Sequence, residues 1–348
     1  MRHPRRAPPH ATLALDTTAN SASSSAVGTP AIVSPRSAFR SMTAMRPRYP
    51  RGRSAVPTTV EHMGRTREQP TPSRRLRDGT LARLIPSAYA GGFELDVDGT
   101  PQSHVDLDDP THLHFEYVAR MGAVIDQLRM PGQPLTAVHL GAGALTLPRY
   151  VEATRPGSRQ QVIELEAELW DLVREELPLP RGASVRVRIG DARAGLARLP
   201  ASMRGQADLV VSDVYSGAQT PAHLTTVEFY REAAELLAPD GVLLVNVADG
   251  AGLEFARGQV ATIAHVLDHV IVLAEVQVLK GRRFGNLVVA ASARPLPTAW
   301  LPRLLAAGPH PAKIAEGTEV SEFARAGRIV TDASATASPK PSSSLFER

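Results

Sequence analysis

The stretch that decides the fold is residues 135–166, LTAVHLGAGALTLPRYVEATRPGSRQQVIELE. An apolar run over 135–140 enters a Gly-Ala-Gly turn at 141–143. A helix-compatible segment follows, and then a second apolar run over 161–165, with Glu164 and Glu166 at its end. Strand, glycine turn, helix and acid-tipped strand is the order of a nucleotide-binding βαβ unit. Gly141 and Gly143 would let the backbone approach a ligand closely, and a terminal acid can accept hydrogen bonds from two ribose hydroxyls. A GxG turn by itself is also a common packing device, so the unit has to be read with its neighbours.

Downstream, strands and helices alternate. The sequence predicts a helix over 169–177 and a strand over 185–189 that ends at Gly190-Asp191-Ala192, with a short helix over 194–199 after it. The near-continuous apolar run ADLVVS (207–212) ends at Asp213, and a helix over 226–237 follows, closed by Pro239-Asp240-Gly241. A strand over 241–247 and a helix over 253–267 come next. Residues 270–278 and 286–291 read as a closing antiparallel pair around a charged hairpin turn, Lys280-Gly281-Arg282-Arg283, and a further helix is expected over 300–307. Such alternation predicts an α/β fold with a doubly wound, mainly parallel, Rossmann-like sheet, whose ligands sit beyond the carboxyl ends of the strands.

Upstream, Phe93, Leu95 and Val97 alternate with acids, Asp98-Gly99 is a hairpin signal, and a short strand should run through 102–105. This predicts a small N-terminal β element over 81–110. Residues 114–128 read as an amphipathic helix bearing Tyr117, Met121, Val124 and Leu128 on one face. The core domain is then 111–310. Residues 1–80 carry 14 Lys+Arg against 4 Asp+Glu, with no period, and read as a disordered basic tail; residues 311–348 read as irregular or disordered. The remaining 268 residues hold 25 Lys+Arg against 31 Asp+Glu, so the basic character belongs to the tail and nucleic-acid binding is not favoured.

No run of about 18 apolar residues occurs, so no membrane span is expected. No apolar segment follows the early arginines as in a secretory signal, and the chain has no cysteine, which together suit a cytoplasmic protein. The histidines lack metal-ligand spacing, so no metal is expected.

The glycine turn, Glu164, Asp191-Ala192 and Asp213 fall at successive strand ends. Glu164 could hold a ribose and Asp191 the exocyclic amine of an adenine. Each has a structural alternative: a solvated strand end for Glu164, a helix N-cap for Asp191, a turn residue for Asp213. Jointly they point to an adenosine-type cofactor. Gly141 and Glu164 are spaced as in an NAD fingerprint as well, but an acid after the third strand favours an S-adenosylmethionine-type ligand.

Residues 93–291 resemble the spermidine synthase family, the polyamine aminopropyltransferases, within the class I S-adenosylmethionine-dependent transferase fold. ELDVDGTPQSHV is similar to that family's N-terminal β-domain, which implies that Gln102 touches the ligand. VIELE looks like the family's V-E-I-D strand end, which implies Glu164 on the ribose. GDA at 190–192 resembles the adenine-side motif and implies that role for Asp191 and Ala192. ADLVVSD followed by TTVEFYREAAELLAPDGVLLVN implies Asp213 as the catalytic base. The resemblance thus implies transfer of an aminopropyl group from decarboxylated S-adenosylmethionine to a small amine, by a homodimeric enzyme of polyamine biosynthesis. Tyr117, Tyr215 and His223 are candidates to line the acceptor pocket.

The chain departs from the family's pattern at three places. Ser216 stands where a second acid is usual. The glycine turn carries no acid, and a Tyr-His pair expected on the preceding helix reads Phe115-Glu116. A polyamine needs carboxylates along its groove; Glu116 and Asp249 are the acids that could stand in. Two alternatives therefore remain: a methyltransferase using intact S-adenosylmethionine, and a non-catalytic ligand-binding homologue.

Overall fold

The structure is a computed structural model that describes residues 71–340, apart from 90, 218 and 307–310. These all belong to one compact unit, residues 67–348. The basic stretch expected to be disordered lies, up to residue 70, outside the described residues.

The chain builds a small antiparallel sheet first. It comprises β1 (Ser73–Arg75), β2 (Leu81–Pro86), β3 (Gly92–Val97) and β4 (Thr100–Asp106), paired in that order. The β3–β4 hairpin turns at Asp98-Gly99, both at positive φ (48° and 83°), as a DG turn requires. The element is larger than the predicted hairpin: the fold starts before residue 80, because β1 and β2 pair edge to edge and Ala82 and Leu84 bury against the main core.

The helix α1 (Glu116–Ile125) leads into the α/β part. In order follow β5 (Thr136–Leu140), α2 (Thr146–Thr154), β6 (Arg159–Glu164), α3 (Ala167–Glu176), β7 (Ser184–Ile189), α4 (Ala192–Ala197) and β8 (Ala207–Ser212). Then come α5 (Val227–Ala234), β9 (Leu237–Asp249), α6 (Glu254–Ala264), β10 (His269–Ala274), α7 (Val276–Leu279) and β11 (Gly285–Ser292). The described chain closes with α8 (Leu301–Ala306), β12 (Lys313–Ala315) and α9 (Thr318–Arg325).

The main sheet has eight strands in the order β12-β10-β11-β9-β8-β5-β6-β7. From β9 through β7 neighbouring strands are parallel, and β11 inserts antiparallel between β9 and β10. The winding reverses between β5 and β8, the switch point beside which doubly wound sheets bind ligands. Alternation along the central strands sends consecutive residues to opposite faces. Val210, Leu243, Val245 and Val247 face a core with α5 and α6, whereas Leu209, Val211, Val242 and Leu244 face one with α1 and α2. A third cluster ties Ala82, Leu84 and Leu95 of the small sheet to Leu169, Leu172 and Val173 of α3.

Several expectations are corrected. The run over 270–278 is not one strand: β10 stops at Ala274, and Val276–Leu279 coils into α7, whose Val278 is buried. The helix expected to reach 237 ends at Ala234, and β9 already begins at Leu237, so Pro239-Asp240-Gly241 lies in an irregular strand pairing and is not a helix stop. The C-terminal part is not irregular throughout. Besides β12 and α9, Ser338 is fully buried and exchanges hydrogen bonds with Thr220, its main-chain N–H to the Thr220 carbonyl at 3.1 Å and its Oγ from the Thr220 N–H at 2.8 Å. Among the described residues no helix is long and apolar enough to cross a membrane.

Candidate active site

Three main-chain bonds align the strand ends that carry the candidate residues. The Gly141 N–H donates to the Ile163 carbonyl (2.9 Å), the Gly190 N–H to Glu164 (2.7 Å), and the Asp213 N–H to Leu140 (3.0 Å). Residues far apart in sequence are thereby brought to one edge. Around them lies a cavity of about 790 Å³, within the usual range for a cofactor-sized molecule. Gln102, Gly141, Gly143, Glu164, Asp191 and Ala192 all line it. So do Glu116, Tyr117, Asp213, Tyr215 and Ser216.

The glycine turn is shaped by packing as well as by exposure. Gly141 has φ +86°, and a Cβ there would run into the main-chain carbonyl of Asp213; a Cβ at Gly143 would meet Ser103 of β4. Ser103 Oγ also accepts the Ala144 N–H at 3.2 Å, so the small sheet is docked directly on the turn.

Glu164 is 6 % exposed, and its two oxygens accept the N–H groups of Ala142 (2.8 Å) and Glu166 (2.9 Å). Burial raises its carboxyl above the ordinary range, although those amides pull it back. Each carboxylate oxygen has two lone-pair directions, so acceptor capacity remains for a pair of hydroxyls. Asp191 realises the capping alternative: Oδ1 accepts the Ala194 N–H at 2.9 Å to start α4, while Oδ2 meets His223 Nε2 at 2.7 Å. Burial pushes its pKa up, but the Ala194 amide and His223 outweigh that and hold it below the ordinary value.

Asp213 sits just past the end of β8. Asn246 Nδ2 donates to its Oδ1 at 2.9 Å, and the Tyr117 hydroxyl to its Oδ2 at 3.2 Å. Asn246 Oδ1 in turn accepts from Asn286 Nδ2 at 2.9 Å. Burial raises the Asp213 pKa, and its two donors moderate the rise. The same burial, together with the Asp213 charge, drives the Tyr117 phenol well above its usual value, so it stays a donor. Tyr215 buries its hydroxyl near Thr220 and Asn286 without a well-formed bond to either. Ser216 is exposed, and its N–H closes a small turn to the Gln219 carbonyl.

The two acids proposed as stand-ins behave differently from each other. Asp249 does not line the cavity; its oxygens accept the Gly250 and Ala256 N–H groups and fix the entry to α6. Glu116 lines it, but accepts from Arg120 at 2.9 Å, with Arg283 at 3.9 Å. Arg283, read from the sequence as part of a charged hairpin turn, is itself on the cavity wall.

Sequence reasoning overlooked Asn246, Asn286, Arg120, Arg283 and His139. A signal existed for two of them. Asn246 is the one polar residue inside the apolar run of β9, and Arg120 falls on the buried face of α1, three residues from Tyr117. Among the described residues no group of His, Asp and Glu is arranged to hold a metal.

Strand order, the switch-point cavity and the acid-tipped strands define the class I S-adenosylmethionine-dependent transferase fold. No family model matches the chain. A solved structure described as a probable spermidine synthase from Corynebacterium glutamicum is 31 % identical and superposes with a TM-score of 0.69, covering 75 % of this chain and 96 % of that one. A polyamine aminopropyltransferase of Vibrio vulnificus is 29 % identical over 135 residues, 38 % of this chain and 44 % of that protein. One from Neisseria meningitidis is 26 % identical over 149 residues, 42 % of this chain and 54 % of its own length. The chain thus spans about half the length of the curated relatives it matches. It belongs to the spermidine synthase family.

Proposed function

We propose that this protein is a transferase that binds a decarboxylated S-adenosylmethionine-type donor and passes its aminopropyl group to an amine, with Asp213 as the base. The observation that carries the reading is Asp213 itself: a carboxylate held by two donors at a strand end, in the same cavity as the glycine turn and Glu164. In this reading Glu164 takes the ribose hydroxyls, Asp191 and Ala192 the adenine edge, and Gln102 closes over the donor from the small sheet. The donor supplies a sulfonium carbon. As the amine nitrogen bonds to that carbon the carbon–sulfur bond breaks, its electron pair stays on sulfur, and Asp213 accepts the amine proton. A raised pKa suits a carboxylate to that task, since a base works best when its pKa nears the working pH.

A second reading, methyl transfer from intact S-adenosylmethionine, is favoured by two features. The turn over 141–145 holds no acid to pair a donor ammonium, while Arg120 lines the same cavity.

Calorimetric titration with methylthioadenosine, then turnover of the decarboxylated donor with a panel of primary amines that includes putrescine and 4-aminobutanoate, tests the proposal. Wild type should bind and turn over, and Asp213→Asn should bind normally but lose about 10²- to 10⁴-fold in rate. Undiminished turnover in Asp213→Asn would sink the base assignment, and absent methylthioadenosine binding would sink the donor class.

A further inference from the structure

We propose that Arg120, assisted by Arg283, reads a carboxylate in this cavity, so that one of the two reacting molecules carries an anionic end where a polyamine would present an ammonium. The inference rests on the reading that an adenosine-bearing donor occupies the cavity.

Charge distribution supports it. Most carboxylates on the cavity wall are already engaged at the adenosine side. Glu164 serves two amides, Glu166 accepts the Arg77 N–H at 3.0 Å, Asp78 binds Thr80, and Asp191 binds Ala194 and His223. The other acids lining the cavity among the described residues are Glu116, which meets Arg120 at 2.9 Å and Arg283 at 3.9 Å, and Asp213, which is held by Asn246 and Tyr117. That half is close to neutral. A dication would have to be desolvated beside two positive charges, which is unfavourable without compensating carboxylates.

Arg120 is also under-compensated. It is 4 % exposed, yet among the described residues its one ion pair is with Glu116 through Nη2, and its buried Nε has no hydrogen-bond partner there. It must share Glu116 with Arg283, which is further paired with Glu275. A buried guanidinium normally satisfies its planar fork of donors, and a ligand carboxylate is the group whose shape matches it. Arg120 lies three residues beyond Tyr117 on α1, so the two side chains are neighbours on one helix face, about 5–6 Å apart at Cβ. Tyr117 donates to Asp213, so the helix that carries Arg120 borders the proposed base. His139, on the same wall, is held neutral by burial at a pKa of about 4 and adds no charge.

The carboxylate could belong to the donor, as in intact S-adenosylmethionine, or to the acceptor. Calorimetry separates these sources. One arm compares S-adenosylmethionine with its decarboxylated form. The other loads the full chain with methylthioadenosine and compares 4-aminobutanoate with putrescine, four-carbon amines ending in a carboxylate and an ammonium. At least one pair should favour the carboxylate member by tenfold or more. That preference should vanish in Arg120→Met and weaken in Arg283→Gln, with methylthioadenosine affinity unchanged in both, an outcome that a merely structural role would not produce. Arg120→Lys, which keeps the charge but loses the fork, gives an intermediate ratio and stands in if Arg120→Met does not fold. Preference for the carboxylate-free member in both arms, equal binding, or a preference that survives in the Arg120 variants overturns the proposal. Failure of wild type to bind methylthioadenosine would instead overturn the functional reading beneath it.

Discussion

Asn246→Leu removes one donor from the proposed base while nearly conserving volume. In the native chain Asn246 Nδ2 lies 2.9 Å from Asp213 Oδ1, and the Tyr117 hydroxyl is the other side-chain donor, at 3.2 Å. A hydrogen bond to a charged acceptor contributes about 1.5–3 kcal/mol, which is roughly 10- to 150-fold in the balance between ionised and protonated carboxyl. Asp213 is partly open to the cavity, where water can replace the lost amide, so the lower end, about tenfold, is expected. The sign follows from what is lost. Both donors favour the carboxylate and hold its pKa down against burial, so removing one raises the pKa further. The acid limb of kcat/KM should move to higher pH, and the variant should be impaired mainly on that limb and recover toward wild type once Asp213 ionises. Taking the wild-type to variant ratio at each pH cancels titration of the acceptor amine. A ratio independent of pH, or a limb that moves to lower pH, would refute the reasoning.

Three other perturbations test neighbouring links. Glu164→Gln removes the charge from the proposed ribose acceptor and should weaken methylthioadenosine at least tenfold by calorimetry, at about 1.5–3 kcal/mol for a charge-assisted bond; an unchanged Kd would leave Glu164 a strand-end support only. Gly141→Ala forces a Cβ against the Asp213 carbonyl at φ +86°, and should cost about 1–3 kcal/mol in urea unfolding while also depressing turnover by displacing Asp213; native-like stability would show that the turn can relax. Arg155→Met deletes the fully buried guanidinium that donates to the carbonyls of Ile125, Asp126, Met130 and Gln133, and with about 1–3 kcal/mol per unsatisfied buried group should destabilise by at least about 3 kcal/mol; a loss below about 1 kcal/mol in urea unfolding would mean that water fills the gap.

Much of the main sheet was legible in the sequence because its strands are short apolar runs bounded by glycine or acid. β8 is read to the residue, and β5, β6 and β7 to within two residues at each end. What escaped the sequence had local patterns that long-range packing overrode. The Val276–Leu279 segment is β-branched and reads as strand, yet it coils because Val278 has to turn inward beside Gly285. β2 carries arginine and proline and shows no clean alternation, but it is held by pairing with β3 on one side and β1 on the other. Ser338 lies in a Ser- and Pro-rich stretch whose composition signals disorder, and it is ordered by Thr220, 118 residues away.

By itself the sequence determined the βαβ order, the acids at the strand ends and the glycine turn, because periodicity and turn chemistry act within a few residues. Tertiary structure decided the rest. It showed that Asp213 is gripped by Asn246 and Tyr117, that Asp249 is a backbone support, and that Arg120 and Arg283 converge on Glu116 at the cavity wall. These depend on which side chains meet across the switch point, and on how burial shifts the balance between charged and neutral forms, quantities set by neighbours distant in sequence.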